Sequence, residues 1–332
     1  SGILNSVHTF ANDPERGLFI LIFLFILIFL SFFIFLFFYK KDTQNLQSFF
    51  WLSKETSILV NNWFMMYFLS VVLIGTTYPI FLEVISSEKI SVGPPFYNKL
   101  IAPFLIPFLF AMAIGPKLKW IKSDIENKFY LLLFLIISIV LALLIIRNLD
   151  INFLLNSILL TAALYLFFIT LRGFLIKKIQ NLSQNLAHFS FSLLILSILF
   201  NNIFSFEIIT NLKVNEIYES EKFKISFENI EQKDKQNFKS IIGKFVIEEF
   251  DGGTEIMQPE LRIYNQPNIV TSEADIKINL FHDKFMTMNY VQNQDYFNIR
   301  YQIKPFMIWI WLSTLMLCLS GLYSFIQREY EK

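Results

Sequence analysis

Residues 186–227 read LAHFSFSLLILSILFNNIFSFEIITNLKVNEIYESEKFKISF. The first half, Leu186–Phe206, is a nearly unbroken apolar run, and a bilayer core needs about 20 such residues in a helix. The second half changes period. Phe223, Ile225 and Phe227 alternate with polar residues, the spacing of a half-buried strand. A membrane span that opens directly into strand-like chain decides the architecture. Helices cross lipid, and a β-rich segment is inserted between two of them.

Working outward, seven runs approach the length of a span: Leu18–Phe38, Ile58–Leu82, Leu100–Gly115, Tyr130–Ile146, Ile151–Leu171, Leu186–Phe206 and Phe306–Ile326. The third and fourth are short, and the third carries Pro103 and Pro107, so a kink is expected there. Across the 332 residues, 55% are hydrophobic and 40 are Phe, too apolar for an ordinary soluble domain. The fold class is therefore an α-helical polytopic membrane protein of about seven transmembrane helices with a small inserted β-rich domain. Its parts are an outer segment 1–17, a six-helix region 18–206, the β-rich domain 207–304, and a last helix with its tail at 305–332.

Loop charge orients the spans. Segments 39–57, 116–128, 172–180 and 327–332 hold Lys40, Lys41, Lys54, Lys117, Lys119, Lys122, Lys128, Arg172, Lys177, Lys178, Arg328 and Lys332. The opposite short segments hold only Arg16, Lys89, Lys99 and Arg147. The positive-inside rule puts the first set in the cytoplasm, and residues 1–17 and 207–304 on the outer face. Segment 207–304 is a different material, with 16 acidic and 12 basic residues. Alternating triplets recur in it: Phe223, Ile225 and Phe227; Ile276, Ile278 and Leu280; Met286, Met288 and Tyr290. Asp251-Gly252-Gly253 and Gln266-Pro267-Asn268 punctuate them as turns.

Residues able to carry chemistry are few. Net charge is +1, which implies no nucleic-acid partner. The single Cys318 can form neither an internal disulfide nor a cysteine metal site. Glu83 and Glu88 read as loop carboxylates, His282 as a solvent-facing strand residue, and Trp309 and Trp311 as interface anchors. No P-loop, dinucleotide fingerprint, nucleophile motif or internal repeat is present. His8 precedes the first span as an ordinary surface histidine would. His188 lies near the start of the sixth run, about 5 Å deep, where it either snorkels to water or serves as a ligand. An imidazole at membrane depth is costly without a use, and histidine is a common haem ligand. The chain opens on Ser1-Gly2, and its first long run is flanked by Lys40 and Lys41 like a stop-transfer segment. The start reads as a cut point within a longer protein, or as one product of a split gene.

Several phrases then carry a resemblance. Residues 1–17 read SGILNSVHTFANDPERG, 53–63 SKETSILVNNW, 75–79 GTTYP, 90–98 ISVGPPFYN, 112–116 MAIGP and 305–311 PFMIWIW. In this order, with one β insertion before the last span, the chain resembles the C-terminal half of the cytochrome c biogenesis haem lyases, the CcmF family. The family's tryptophan-rich segment is missing, and Trp51, Trp63, Trp120, Trp309 and Trp311 are scattered.

The resemblance implies attachment of haem to apocytochrome c in a bacterial inner membrane or an organellar equivalent. It implies a membrane-embedded haem b and a substrate haem at the outer surface, each held by a pair of histidines. By motif, His8 in SVHTF matches one outer ligand, and His188 in NLAHFSFSLLILS matches one ligand of the membrane haem. The partner histidines belong to the family's N-terminal half. The implied partners are a haem chaperone, a thiol-redox protein that presents CxxCH, apocytochrome c, the tryptophan-rich half, membrane lipid, and a quinol as candidate reductant. Two other readings stand beside this one. A multi-pass permease would suit the proline-broken third span but should show repeats. A non-catalytic scaffold would use the β-rich domain to hold partners.

Overall fold

The computed structural model describes residues 14–39, 50–86, 90, 92–123, 128–147, 149, 152–175, 182–220, 223–249, 252–266, 269–291 and 295–330. The chain divides into two compact units, Ser1–Lys128 and Phe129–Lys332. Six helices among the described residues are long and apolar enough to cross a membrane, and the first helix adds a shorter apolar stretch at Ile22–Phe38. With the β domain below, the chain is a polytopic membrane protein with an inserted β domain.

The first unit holds α1 (Pro14–Phe38), α2 (Lys54–Ser86), α3 (Pro94–Ile114) and a closing 3₁₀ turn at Gly115–Lys117. In α1, Phe25, Phe29, Phe33 and Phe37 form a ladder at four-residue spacing, and the described side chains from Ile22 onward are exposed. A helix that is apolar all round suits lipid. The helices α2 and α3 run antiparallel as a hairpin. Trp63 and Tyr67 meet Phe104, and Phe64 and Phe68 meet Phe108. The third span is neither short nor broken. It begins six residues earlier than Leu100, with proline in its first turn, where a missing N–H costs nothing, and continues through Pro103 and Pro107. The Tyr67 hydroxyl donates to the Leu100 carbonyl at 2.9 Å, a polar partner in the stretch where Pro103 interrupts the helix ladder.

The second unit contains α4 (Lys128–Ile146), α5 (Phe153–Leu175), α6 (Leu182–Phe204) and α7 (Met307–Tyr330). Its most enclosed helix is α5, buried from Leu159 through Leu166. Between α6 and α7 lies a serine register. Ser190 and Ser197 on α6 and Ser313 and Ser320 on α7 are all buried, each pair seven residues apart. At 1.5 Å per residue they sit about 10 and 20 Å from the β-domain ends of their helices, at matching depths. Small residues let two helices approach closely in lipid, where hydrophobic burial supplies no drive. Each hydroxyl is satisfied by its own helix: Ser190 donates to Leu186 O, Ser197 to Leu193 O, Ser313 to Ile310 O and Ser320 to Leu317 O.

The inserted domain is a sandwich of two antiparallel sheets. One sheet has the order β1 (Phe206–Leu212), β10 (Phe297–Pro305), β9 (His282–Tyr290), β8 (Asp275–Lys277). The other has β2 (Ile217–Glu219), β3 (Phe223–Asp234), β4 (Phe238–Glu249), β6 (Glu260–Tyr264), β7 (Val270–Glu273), with β5 (Thr254–Met257) also on β4. Phe223, Ile225, Phe227, Phe245 and Ile247 from one sheet meet Met286, Met288, Ile299 and Tyr301 from the other in one core. The first alternating triplet supplies three core residues, and the third supplies Met286 and Met288 but exposes Tyr290. The second triplet, Ile276, Ile278 and Leu280, is entirely exposed. Its period was legible, but the side that its apolar face would take was not.

Candidate functional site

Three places in the molecule can carry function: the region of α6 around His188, the junction where the sandwich joins α7, and the α2–α3 hairpin that holds most of the family phrases.

His188 lies on α6, whose first turn starts at Leu182 rather than at Leu186. The imidazole is therefore about 9 Å from that helix end and about 24 Å from the β-domain end. It is half-buried. Its neighbour Phe189 packs against Phe167 with the rings tilted by 33° and meets Phe174 edge-on, each with ring centroids 5.3 Å apart. One turn toward the start, the Asn185 amide donates to the Thr170 carbonyl at 3.1 Å. Gly173 admits that contact, because a Cβ there would fall within 2.4 Å of the Asn185 amide oxygen. Helices α5 and α6 are thus fixed beside His188 by a polar bolt and an aromatic wall. A half-buried imidazole next to such a wall is a donor that could hold a haem, a group with apolar faces whose iron takes nitrogen.

The other predicted positions are scattered. His8 lies outside the described residues, as do Glu88 and the side chain of Glu83. His282 opens β9 opposite Pro305 at the sandwich end nearest α6 and α7, half-buried rather than solvent-facing. That places it far along the molecule from His188, so the two cannot share an iron. Cys318 is exposed on α7. Among the described residues, no group of three His, Cys, Asp or Glu side chains could hold a metal ion.

The junction is tightly built. Phe306 has a φ of 59°, in the left-handed region where a bulky residue is strained. Its amide donates to Phe281 O at 2.8 Å, its ring meets Phe200 on α6 at 5.2 Å, and its carbonyl accepts from Trp309 and Ile310. Trp309 Nε1 donates to Leu280 O at 2.9 Å, and Asn201 donates to Pro305 O at 2.6 Å. Trp309 is therefore bonded to the sandwich, while Trp311 is exposed as an interface anchor would be.

Just inside the same end of the sandwich lies an ion cluster that sequence reading missed. Lys284 on β9 reaches the other sheet, 2.5 Å from Glu249 and 2.7 Å from Glu255. Burial pulls its pKa down, but the two carboxylates outweigh that and hold it above the ordinary lysine range. Tyr301 beside it is fully buried, and its hydroxyl has no hydrogen-bond partner among the described residues. Burial pushes its pKa up to about 12. No sequence signal marks such a cluster, since its members lie on three different strands.

The family phrases have a structural role in the first unit. Gly75 of GTTYP lies where a Cβ would come within 2.9 Å of the Phe96 and Tyr97 rings of ISVGPPFYN. Gly115 of MAIGP lies against Ser57 of SKETSILVNNW in the same way. Two phrase pairs thus close the two ends of one helix hairpin. At the Ser57 end, Lys54 and Glu55 engage the segment after α3. Glu55 accepts from the Ile121 amide with both oxygens at 3.0 Å, and Lys54 Nζ lies 5.1 Å from the Trp120 ring centroid. A groove of about 510 Å³ opens there between Trp51, Thr56, Leu59, Val60 and Trp63.

Comparison with known proteins places this geometry. A family model described as the CcmF C-terminal beta-sandwich matches residues 203–305, the span of the two sheets. The cytochrome c-type biogenesis protein CcmF of Pseudomonas fluorescens is 28% identical over 347 residues, covering 100% of this chain and 52% of its own length. CcmF of Haemophilus influenzae is 29% identical over 353 residues (100% and 53%), and that of Escherichia coli 26% over 342 residues (100% and 53%). The chain thus spans about half the length of these relatives. A solved structure of the cytochrome c haem lyase CcmF superposes with a TM-score of 0.64 at 21% identity, covering 82% of this chain and 46% of that one, a likeness of fold. With the inserted sandwich and the whole-length alignments in agreement, the chain is similar along its whole length to the C-terminal half of CcmF proteins, and residues 203–305 match the CcmF C-terminal beta-sandwich.

Proposed function

We propose that this chain is the C-terminal part of a cytochrome c haem lyase, the membrane protein that joins haem to apocytochrome c. The observation that carries the reading is His188. It is a half-buried imidazole on a membrane-crossing helix, fixed beside an aromatic wall, at the position that the family motif assigns to a ligand. In this reading His188 would hold a haem b within the bilayer through its imidazole, and Phe189, Phe167 and Phe174 would exclude water beside it. When bound, that haem supplies one-electron chemistry, tuned by its axial ligands and burial. The Asn185–Thr170 bond holds the helix turn that presents the imidazole, a positioning role. His8 supplies one ligand to the substrate haem at the outer face. The distribution of loop charge supports placing the sandwich on that face as well. A haem chaperone, a protein that presents the CxxCH cysteines, and apocytochrome c itself are the partners this role requires.

The test is spectral. In the complete haem lyase that carries this chain, His188→Ala should remove most of the reduced b-type haem absorbance, and haem content at the parent level would overturn the assignment. A strain with His8→Ala should lose most of its holocytochrome c, whereas an undiminished yield would refute the outer-site role.

A further inference from the structure

The stretch from β8 to β9 is apolar on a face that the sandwich does not use. Ile276, Ile278 and Leu280 alternate as core residues do, yet with Phe281 they are exposed, from 46% at Ile276 to 69% at Ile278. No side chain of the tip Ile278–Phe281 itself is charged. Of its charged neighbours in sequence, Asp283 and Lys284 are buried and Asp275 and Lys277 are half-buried. Asp283 accepts from the Asn279 amide at 3.1 Å, and Lys284 is drawn between the sheets by Glu249 and Glu255. A tip that faced water would show the reverse pattern.

Two hydrogen bonds fix the depth of this tip. Leu280 O accepts from Trp309 Nε1, and Phe281 O accepts from the amide of Phe306. Trp309 lies in the first turn of α7, and the membrane-crossing stretch of that helix begins at Met307. Backbone bonded to residues 306 and 309 must lie at the level where α7 enters the bilayer. The apolar face is therefore continuous with the lipid-facing surface of α7.

We propose that Ile278–Phe281 inserts into the leaflet on the β-domain side, with the lipid surface as its partner, and so pins the sandwich to the membrane. This rests on the reading of α7 as a membrane span. The test is nitroxide power saturation of the chain in phospholipid nanodiscs. Labels go on Ile278→Cys and Leu280→Cys in a Cys318→Ser background. The parent's Cys318 on α7 serves as lipid reference, and Val270→Cys, at the sandwich end away from α7, as aqueous reference. Labels at 278 and 280 should relax more with oxygen than with a water-soluble nickel chelate, as at 318, with the order reversed at 270. Labels at 278 and 280 that behave like 270 overturn the proposal. Shielding from both agents also overturns it, since a protein surface would then cover the tip. An aqueous response at 318 itself would instead sink the membrane-span reading on which the proposal stands.

Discussion

Lys284→Ala tests how burial and a second carboxylate raise the worth of an ion cluster over that of a single exposed pair. Lys284 lies 2.5 Å from Glu249 and its side chain is 8% exposed, whereas Lys244 lies 2.6 Å from Glu228 and is 32% exposed. The distances match, so Coulomb attraction at equal dielectric would predict equal losses per partner, and Lys284 has two partners where Lys244 has one. Removing one member of a buried pair costs about 3–5 kcal/mol, because the remaining charge is left without a partner. Glu249 and Glu255 are only partly buried, so water recovers some of their charge, and the expected cost falls to about 2–3 kcal/mol. Lys244→Ala should cost less than about 1 kcal/mol. Lys284→Met, which keeps the apolar stem, should fall between them. Adding Glu249→Gln and Glu255→Gln to it should restore most of the loss, since no uncompensated charge then remains. The assay is the urea dependence of thiol labelling at a core reporter, Met286→Cys in Cys318→Ser, on the detergent-solubilised chain. Equal midpoints for Lys284→Ala and Lys244→Ala would refute the argument from burial.

Three further outcomes follow from the packing. Tyr301 has its folded pKa raised to about 12 from an ordinary value of 10.0, and that of Lys284 is also raised. Both bind protons more tightly when folded, so their contribution is complete below about pH 10 and is lost as pH climbs toward 12, with Tyr301 accounting for at most about 2–3 kcal/mol. The phenolate absorbance of the parent minus that of Tyr301→Phe should therefore titrate near 12, and a difference titration near 10 contradicts this. Gly75→Ala should destabilise the α2–α3 hairpin by about 1–3 kcal/mol, as seen in thermal unfolding in detergent, with Tyr97→Ala relieving part of it in a double-mutant cycle. Absence of coupling between the two would show that the glycine is not there for close approach. Ser197→Leu should wedge α6 from α7 and lower the thermal midpoint, whereas Ser197→Ala should leave it nearly unchanged, because the hydroxyl serves only its own helix.

Much of the fold was legible in one dimension. Apolar runs at bilayer length gave the spans, because lipid demands about 20 residues of satisfied backbone from each segment independently. Phe223, Ile225 and Phe227 gave a strand and its inward face, because period two is local. The boundaries were less secure: α3 begins at Pro94 and α6 at Leu182, since helices extend through polar turns that hydropathy does not count. At the candidate site, the sequence supplied His188 and its motif. The structure supplied its depth and the Asn185–Thr170 and Phe167–Phe189–Phe174 contacts around it.

What the sequence determined by itself is therefore whatever depends on a single segment and its solvent: which segments seek lipid and where the chain turns to strands. Tertiary structure alone decided everything that needs two segments at once. The serines of α6 and α7 pair at matching depths, Gly75 and Gly115 close a hairpin, Lys284 finds two carboxylates on the opposite sheet, and Ile276–Leu280 turns outward where a core strand was expected. The physical reason is that hydrophobic periodicity records that a face is apolar, whereas which apolar surface covers it, protein or lipid, depends on where the rest of the chain comes to lie.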